Sequence, residues 1–209
     1  FDLDGTLVDT APDLGFALNT LLQQEGRPAL AHDLIRPEAS NGSAGLLGLG
    51  FGITTTDPTY PSLQQRFIQL YQDNITRESD LFSGMAAVLD KLEASQIPWG
   101  IITNKPAFLT NPLVEKLELS QRAACVVSGD TTPHSKPHPA PMLYACKLIN
   151  SLPETCIYIG DAARDIKAGK NANMTTLTAR YGYIGTQDDP EQWQADGIID
   201  HPSELLRWL

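Results

Sequence analysis

The sequence predicts a doubly wound α/β fold, a Rossmann-like parallel sheet with a small helical domain inserted near its start. Two observations predict it. From about Met85 onward short apolar runs alternate with helical stretches, whereas between Asp13 and Asp80 helical spacing recurs without a convincing strand. Continuous apolar runs alternating with helices are what a parallel sheet covered on both faces requires.

Taken in order, Phe1-Asp2-Leu3 reads as the end of a buried first strand. Strands usually run about 5–6 residues, so with Phe rather than Met at position 1 the numbering is expected to begin inside the natural protein. LGFALNTLLQQEG has helical spacing and ends on Gly26, and PSLQQRFIQLYQDNI is a second amphipathic helix. The glycine-rich NGSAGLLGLGFG between them reads as a turn. The GLGFG within it neither follows a strand nor fits the G-x-G-x-x-G pattern of a dinucleotide site. Beyond it, the helical MAAVLDKLEAS leads into the strand WGIIT, FLTNPLVEKLEL into ACVVS, PAPMLYACKLI into CIYIG, and RDIKAGKNA into MTTLTA. GIID and SELLRWL supply a last strand and a terminal helix. The expected division is a core of residues 1–12 and 81–209 and a helical domain of residues 13–80.

With 42% hydrophobic and 19% charged residues over 209 positions, the chain has the composition of a soluble globular protein of one sizeable core. No apolar run approaches the roughly 18 residues of a membrane span, so no membrane is expected as a partner. A net charge of −10 argues against nucleic acid, which needs clustered Lys and Arg. A small anionic substrate remains compatible, given local positive charge. Cys125, Cys146 and Cys156 form no C-x-x-C pair and read as part-buried thiols in a reducing cytoplasm. The chain is expected there as a monomer or homodimer.

In such sheets ligands bind beyond the carboxyl ends of the strands. The polar residues expected there are Asp2 and Asp4 after strand one, Thr103 and Asn104 after WGIIT, Lys136 after ACVVS, and Asp161 and Asp165 after CIYIG. Carboxylates converging on one spot repel one another unless a cation neutralises them. An all-oxygen donor set suits a hard ion, Mg²⁺ in particular. Asp161 and Asp165, four apart, project to one side of a helix start, so one can ligate while the other supports. A carboxylate can also act as a nucleophile toward phosphorus, aided by Mg²⁺, a lysine and hydrogen-bond donors. Asp2, Lys136, Thr103 and Asn104 supply that set, and Asp4 can move the protons.

DLDGT, the run ending in Thr103-Asn104, the lysine of SKP, and GDAARD occur in the order of the four motifs of the haloacid dehalogenase (HAD) superfamily, which the whole chain resembles. The resemblance implies a HAD-type core whose helical insert caps the active site. It implies Asp2 as nucleophile and Asp4 as general acid/base that also binds Mg²⁺ through its backbone carbonyl. It further implies Thr103 as a phosphate ligand, Lys136 as the neutralising cation, Asp161 as a metal ligand, and Asp165 as support for the metal or for Lys136. FDLDGTLVDT, TNKP, SKPHPAP and ARYGYI resemble the phosphoglycolate phosphatase branch, and YGYI with the later DDP and IIDHPSELL is similar to bacterial N-acetylmuramic acid 6-phosphate phosphatases. Ser40, Asn41 and Gly42 fall where that branch carries its cap specificity loop.

The implied activity is a Mg²⁺-dependent phosphomonoester hydrolase acting on a small phosphorylated metabolite. A sugar phosphomutase shares its nucleophile and acid/base pair. A dehalogenase does not need Asp at the Asp4 position, and a phospho-accepting receiver domain is shorter and carries no cap. His134 and His138, which flank Lys136, read as surface or cap-facing groups rather than metal ligands, and Arg36 as a surface residue rather than a partner for a substrate carboxylate.

Overall fold

The computed structural model describes residues 1–186 and 188–209. The chain leaves the sheet through β1 (Val8–Asp9), forms α1 (Ala11–Gln24), α2 (His32–Ile35), a 3-10 turn over Arg36–Asn41, α3 (Gly42–Phe51) and α4 (Tyr60–Asp73), and returns through β2 (Asp80–Leu81), which pairs antiparallel with β1. The return is stapled to the start of α1 by the buried Asp13, whose carboxylate accepts from the backbone N–H groups of Glu78 and Ser79, both at 2.9 Å, and from the Ser79 hydroxyl at 2.6 Å. The first helix of this stretch begins at Ala11.

Helices and strands then alternate: α5 (Met85–Ala94), β3 (Gly100–Ile102), α6 (Ala107–Lys116), β4 (Cys125–Val127), α7 (Ala140–Ile149), β5 (Ile157–Gly160), α8 (Ala163–Asn171), β6 (Thr175–Ala179) and β7 (Gly197–Ile199). β3 pairs with β4, β5 with β6, and β6 with β7, all parallel. Phe1–Leu3 joins the two groups: Ile102 N–H donates to the Phe1 carbonyl at 2.9 Å, and Asp2 N–H to the Ile159 carbonyl at 2.8 Å. The order across the sheet is therefore β4, β3, Phe1–Leu3, β5, β6, β7, which sets Asp2 at its centre.

Successive strand residues point to opposite faces, and the core divides accordingly. Ile101, Ile159 and Leu177 join Leu3, Leu89 and Leu113 in the larger core. Ile102, Tyr158 and Val127 join Met142 of α7 and Ala168 of α8 in the smaller one. Each Val, Leu, Ile or Met among them contributes roughly 1.5–3 kcal/mol on full burial. In the helical lobe, Leu14, Leu18, Leu21 and Leu22 lie on the buried face of α1, which packs against α3 and α4.

Two sequence expectations need correcting. NGSAGLLGLGFG is mostly the helix α3 and not a turn. Low intrinsic helix propensity is overridden by burial of Leu46 and Leu47, and the glycines permit close packing: a Cβ at Gly45 would collide with Asn41. SELLRWL contributes to a 3-10 helix, Pro202–Arg207, a form usual for short helical pieces. Among the described residues, Cys125, Cys146 and Cys156 are free thiols and no helix is long and apolar enough to cross a membrane.

Candidate active site

Asp2 lies at the end of the central segment, and the turn that follows depends on Gly5. Its φ is 86°, and a Cβ there would collide with the Asp161 carboxylate, so glycine is required for both reasons. The turn brings Asp2 beside the loops after β3, β4 and β5, whose residues converge as the strand ends predicted.

Lys136 is the hub. Its buried ammonium lies 2.8 Å from Asp2 Oδ1 and 2.6 Å from Asp165 Oδ1, and donates to the Ile102 carbonyl and the Tyr158 hydroxyl, both at 2.9 Å. Burial works against that charge, but Asp165 and Asp2 outweigh it and hold the lysine above its ordinary pKa. Asp165 Oδ1 has no hydrogen bond apart from this ion pair, so it orients Lys136. Its Oδ2 accepts from Ala162 N–H at 3.1 Å, which ties it to the start of α8.

Asp2 Oδ1 also accepts from Leu3 N–H at 2.7 Å. Burial raises the Asp2 pKa, Lys136 opposes the shift, and Asp165 adds to it. Asp161 accepts from the Thr6 hydroxyl at 3.0 Å, the Ser40 hydroxyl at 2.9 Å and Tyr183 N–H at 2.9 Å. Burial, then the charges of Asp2 and Asp165, push its pKa up to about 7.

Each of Asp2, Asp161 and Asp165 offers a carboxylate oxygen within 4.8 Å of the others. Three buried acids around one lysine, with Asp161 driven toward its neutral form, make a site short of positive charge. Hard oxygen donors in that state fit a divalent metal such as Mg²⁺. Asp4 stands apart from the three: its Oδ1 accepts from the Thr10 hydroxyl at 2.6 Å and pairs with Lys105 Nζ at 2.7 Å.

These residues open onto a cavity of about 630 Å³ between core and helical lobe. Asp2, Asp4, Thr103, Asn104, Ser40, Asn41 and Gly42 line it, as do Tyr60, Gln64, Tyr71, Lys105 and Arg164, which sequence reasoning did not single out. Thr103 is buried there, and its Oγ1 accepts from Lys105 N–H at 3.1 Å. The Asn104 side chain instead grips the Lys136 backbone, donating to its carbonyl at 3.0 Å and accepting from its N–H at 2.9 Å, so it holds the lysine loop in place. Arg36 is spent on Asp9 at 2.8 Å. His134 and His138 stack on each other 4.3 Å apart, and the His138 ring accepts from Ala140 N–H.

Lys105 follows Asn104 directly in TNKP, so the motif itself pointed to it, yet its partner Asp4 is 101 positions away. It is buried, with Nζ 4.5 Å from the Tyr71 ring centroid. Burial works against its charge, and Asp4 and Tyr71 more than offset this, so its pKa also lies above the ordinary value.

A lysine clamped between two buried aspartates at the centre of a parallel sheet, with a second acid on the same turn and a helical lobe roofing the cleft, defines an α/β phosphohydrolase. The chain belongs to the haloacid dehalogenase-like hydrolases, whose family model matches residues 1–179. It is 38% identical over 207 residues to the N-acetylmuramic acid 6-phosphate phosphatase of Pseudomonas putida, covering 99% of this chain and 93% of that one. To the phosphoglycolate phosphatase of Xanthomonas campestris it is 37% identical over 205 residues, covering 98% and 92%. The crystal structure of a predicted phosphoglycolate phosphatase from Haemophilus somnus superposes with a TM-score of 0.87 at 26% identity, covering 100% and 95%. The protein is a phosphoric monoester hydrolase of this family.

Proposed function

We propose that the protein hydrolyses a small phosphorylated metabolite, phosphoglycolate or a related acid, through an aspartyl-phosphate on Asp2. The observation that carries this reading is the Lys136 clamp, 2.8 Å from Asp2 and 2.6 Å from Asp165. It fixes the Asp2 carboxylate by Oδ1 and leaves Oδ2 without a hydrogen bond among the described residues. That oxygen bonds to phosphorus as the ester P–O bond breaks, and Asp4 gives its proton to the departing oxygen. Asp4 then takes a proton from water, whose oxygen attacks phosphorus and returns Asp2 as a carboxylate. Lys136 balances charge on the phosphoryl oxygens, and Thr103 presents a hydroxyl to them. Asp2, the Asp4 carbonyl and Asp161 would hold Mg²⁺, with Asp165 supporting, and the ion when bound supplies further charge neutralisation.

The helical lobe acts as the cap, with Ser40, Asn41 and Gly42 at the seam. Closure excludes bulk water from the acyl phosphate. Cavities of roughly 300–1,000 Å³ hold ligands of drug size. The volume of about 630 Å³ therefore also admits an amino-sugar phosphate. The neutral polar wall of Asn41, Ser43, Tyr60 and Gln64 favours this second reading, hydrolysis of N-acetylmuramic acid 6-phosphate. The free thiols suit a reducing cytoplasm.

The test is phosphate release with and without Mg²⁺ from phosphoglycolate, N-acetylmuramic acid 6-phosphate and simple hexose phosphates, compared by kcat/KM. A preference of about a hundredfold, some 2.7 kcal/mol of differential transition-state binding, assigns the substrate. Turnover of a hexose phosphate to its isomer without phosphate release would replace the hydrolase reading with a mutase.

A further inference from the structure

Lys105 and Arg164 are the two cations lining the cavity among the described residues. Lys105 is committed to Asp4 at 2.7 Å. Arg164, the second residue of α8, forms no ion pair among the described residues, and its one hydrogen bond runs from Nη2 to the Ser40 carbonyl at 2.6 Å. A guanidinium has five N–H donors in a planar fork, so most of its bonding capacity is unused. The nearby acids do not take it up: Asp2 and Asp165 are bound to Lys136, and Asp161 accepts from Thr6, Ser40 and Tyr183. The chemistry proposed for Asp2 and Asp4 gives Arg164 no role.

We propose that Arg164 is a specificity-determining residue that binds a carboxylate on the leaving group, so that the substrate is a phosphomonoester of a carboxylic acid. The inference rests on the phosphatase reading and narrows it. A carboxylate matches the fork geometry of a guanidinium and forms charge-assisted hydrogen bonds with it. The contact with Ser40 holds the side chain at the seam between core and cap, where a leaving group extending from the phosphate would reach it. Arg36, the other arginine considered for this task, is occupied by Asp9.

The experiment pairs each acid with a counterpart lacking the charge: N-acetylmuramic acid 6-phosphate with N-acetylglucosamine 6-phosphate, and phosphoglycolate with its carboxamide. kcat and KM are measured with Mg²⁺ for wild type, Arg164→Gln and Arg164→Lys. The wild type is expected to prefer the acid in at least one pair. Arg164→Gln should erase about 10- to 100-fold of that preference, chiefly through KM, the range for a hydrogen bond to a charged group. Arg164→Lys, which keeps the charge and loses the fork, should retain part of it. Equal losses on acid and uncharged counterpart would mark Arg164 as a structural tie to Ser40 and overturn the proposal, as would a wild type indifferent to the carboxylate. A wild type that releases phosphate from none of the four compounds overturns the phosphatase reading itself, a distinct result.

Discussion

On the floor of the cavity both lysines are held by acids: Lys136 by Asp2 and Asp165 at 2.8 and 2.6 Å, and Lys105 by Asp4 at 2.7 Å. The roof is neutral. Ser43 lies 3.3 Å from the Tyr60 hydroxyl and accepts from Gln64 at 3.1 Å, which links α3 to α4. Phosphoryl transfer explains the difference. Charge develops at the same atoms whatever the leaving group, so the floor is preorganised by buried ion pairs that cannot be altered singly without leaving a charge exposed to low dielectric. In the proposed mechanism the roof meets only the leaving group and can change with less penalty.

Asp2→Asn tests the floor most severely. Because Lys136 keeps Asp165 as its ion-pair partner, the change should leave the melting temperature within a few degrees of wild type and reduce kcat below about one-hundredth, and retention of more than that would remove Asp2 from the nucleophile role. Lys136→Met should fail on both counts. Two buried carboxylates lose their shared partner, a loss of about 3–5 kcal/mol in chemical denaturation together with loss of activity. A stable, active Lys136→Met protein would place floor and roof under the same rules.

Lys105→Met sharpens the comparison by separating proton transfer from attack. With its partner gone, Asp4 is misplaced, so hydrolysis of an alkyl phosphate should drop roughly 10- to 100-fold. An aryl phosphate such as 4-nitrophenyl phosphate, whose leaving group needs no proton, should suffer much less. Equal losses on the two would make Lys105 a general binding residue instead.

Metal removal has a signed pH dependence. In the metal-free protein the Asp161 pKa is raised from 3.8 to about 7. The native state therefore keeps a proton that the unfolded chain releases above about pH 4, and stability from this group declines as pH climbs through about 7. Protons and metal compete for the same carboxylate. Mg²⁺ should accordingly raise the melting temperature more at pH 8 than at pH 6, and an equal shift at both would disconnect Asp161 from the ion.

The smallest effect is expected at Tyr71, on the roof. Its buried hydroxyl has no hydrogen-bond partner among the described residues. Tyr71→Phe should be neutral or stabilising by about 1 kcal/mol, whereas a loss of more than about 1 kcal/mol would reveal a contact to the hydroxyl.

The sequence alone determined the alternating helices and strands after Met85, the sheet end whose loops border the cavity, and the meeting there of Asp2, Lys136, Asp161 and Asp165. These are legible because period and motif order are local properties, and each motif lies at the carboxyl end of its own strand. Tertiary structure decided what depends on partners distant in sequence. Burial of Leu46 and Leu47 made a helix of a glycine-rich stretch, and Asp13 became a staple because Glu78 and Ser79 return to it. Asn104 turned to the Lys136 backbone, and Lys105 found Asp4 across the cavity. Arg36 and Arg164 carry the same side chain. Only the fold, by setting one against Asp9 and leaving the other in the cavity without an ion pair among the described residues, distinguishes them, because a charged group's role follows from which opposite charge lies within reach.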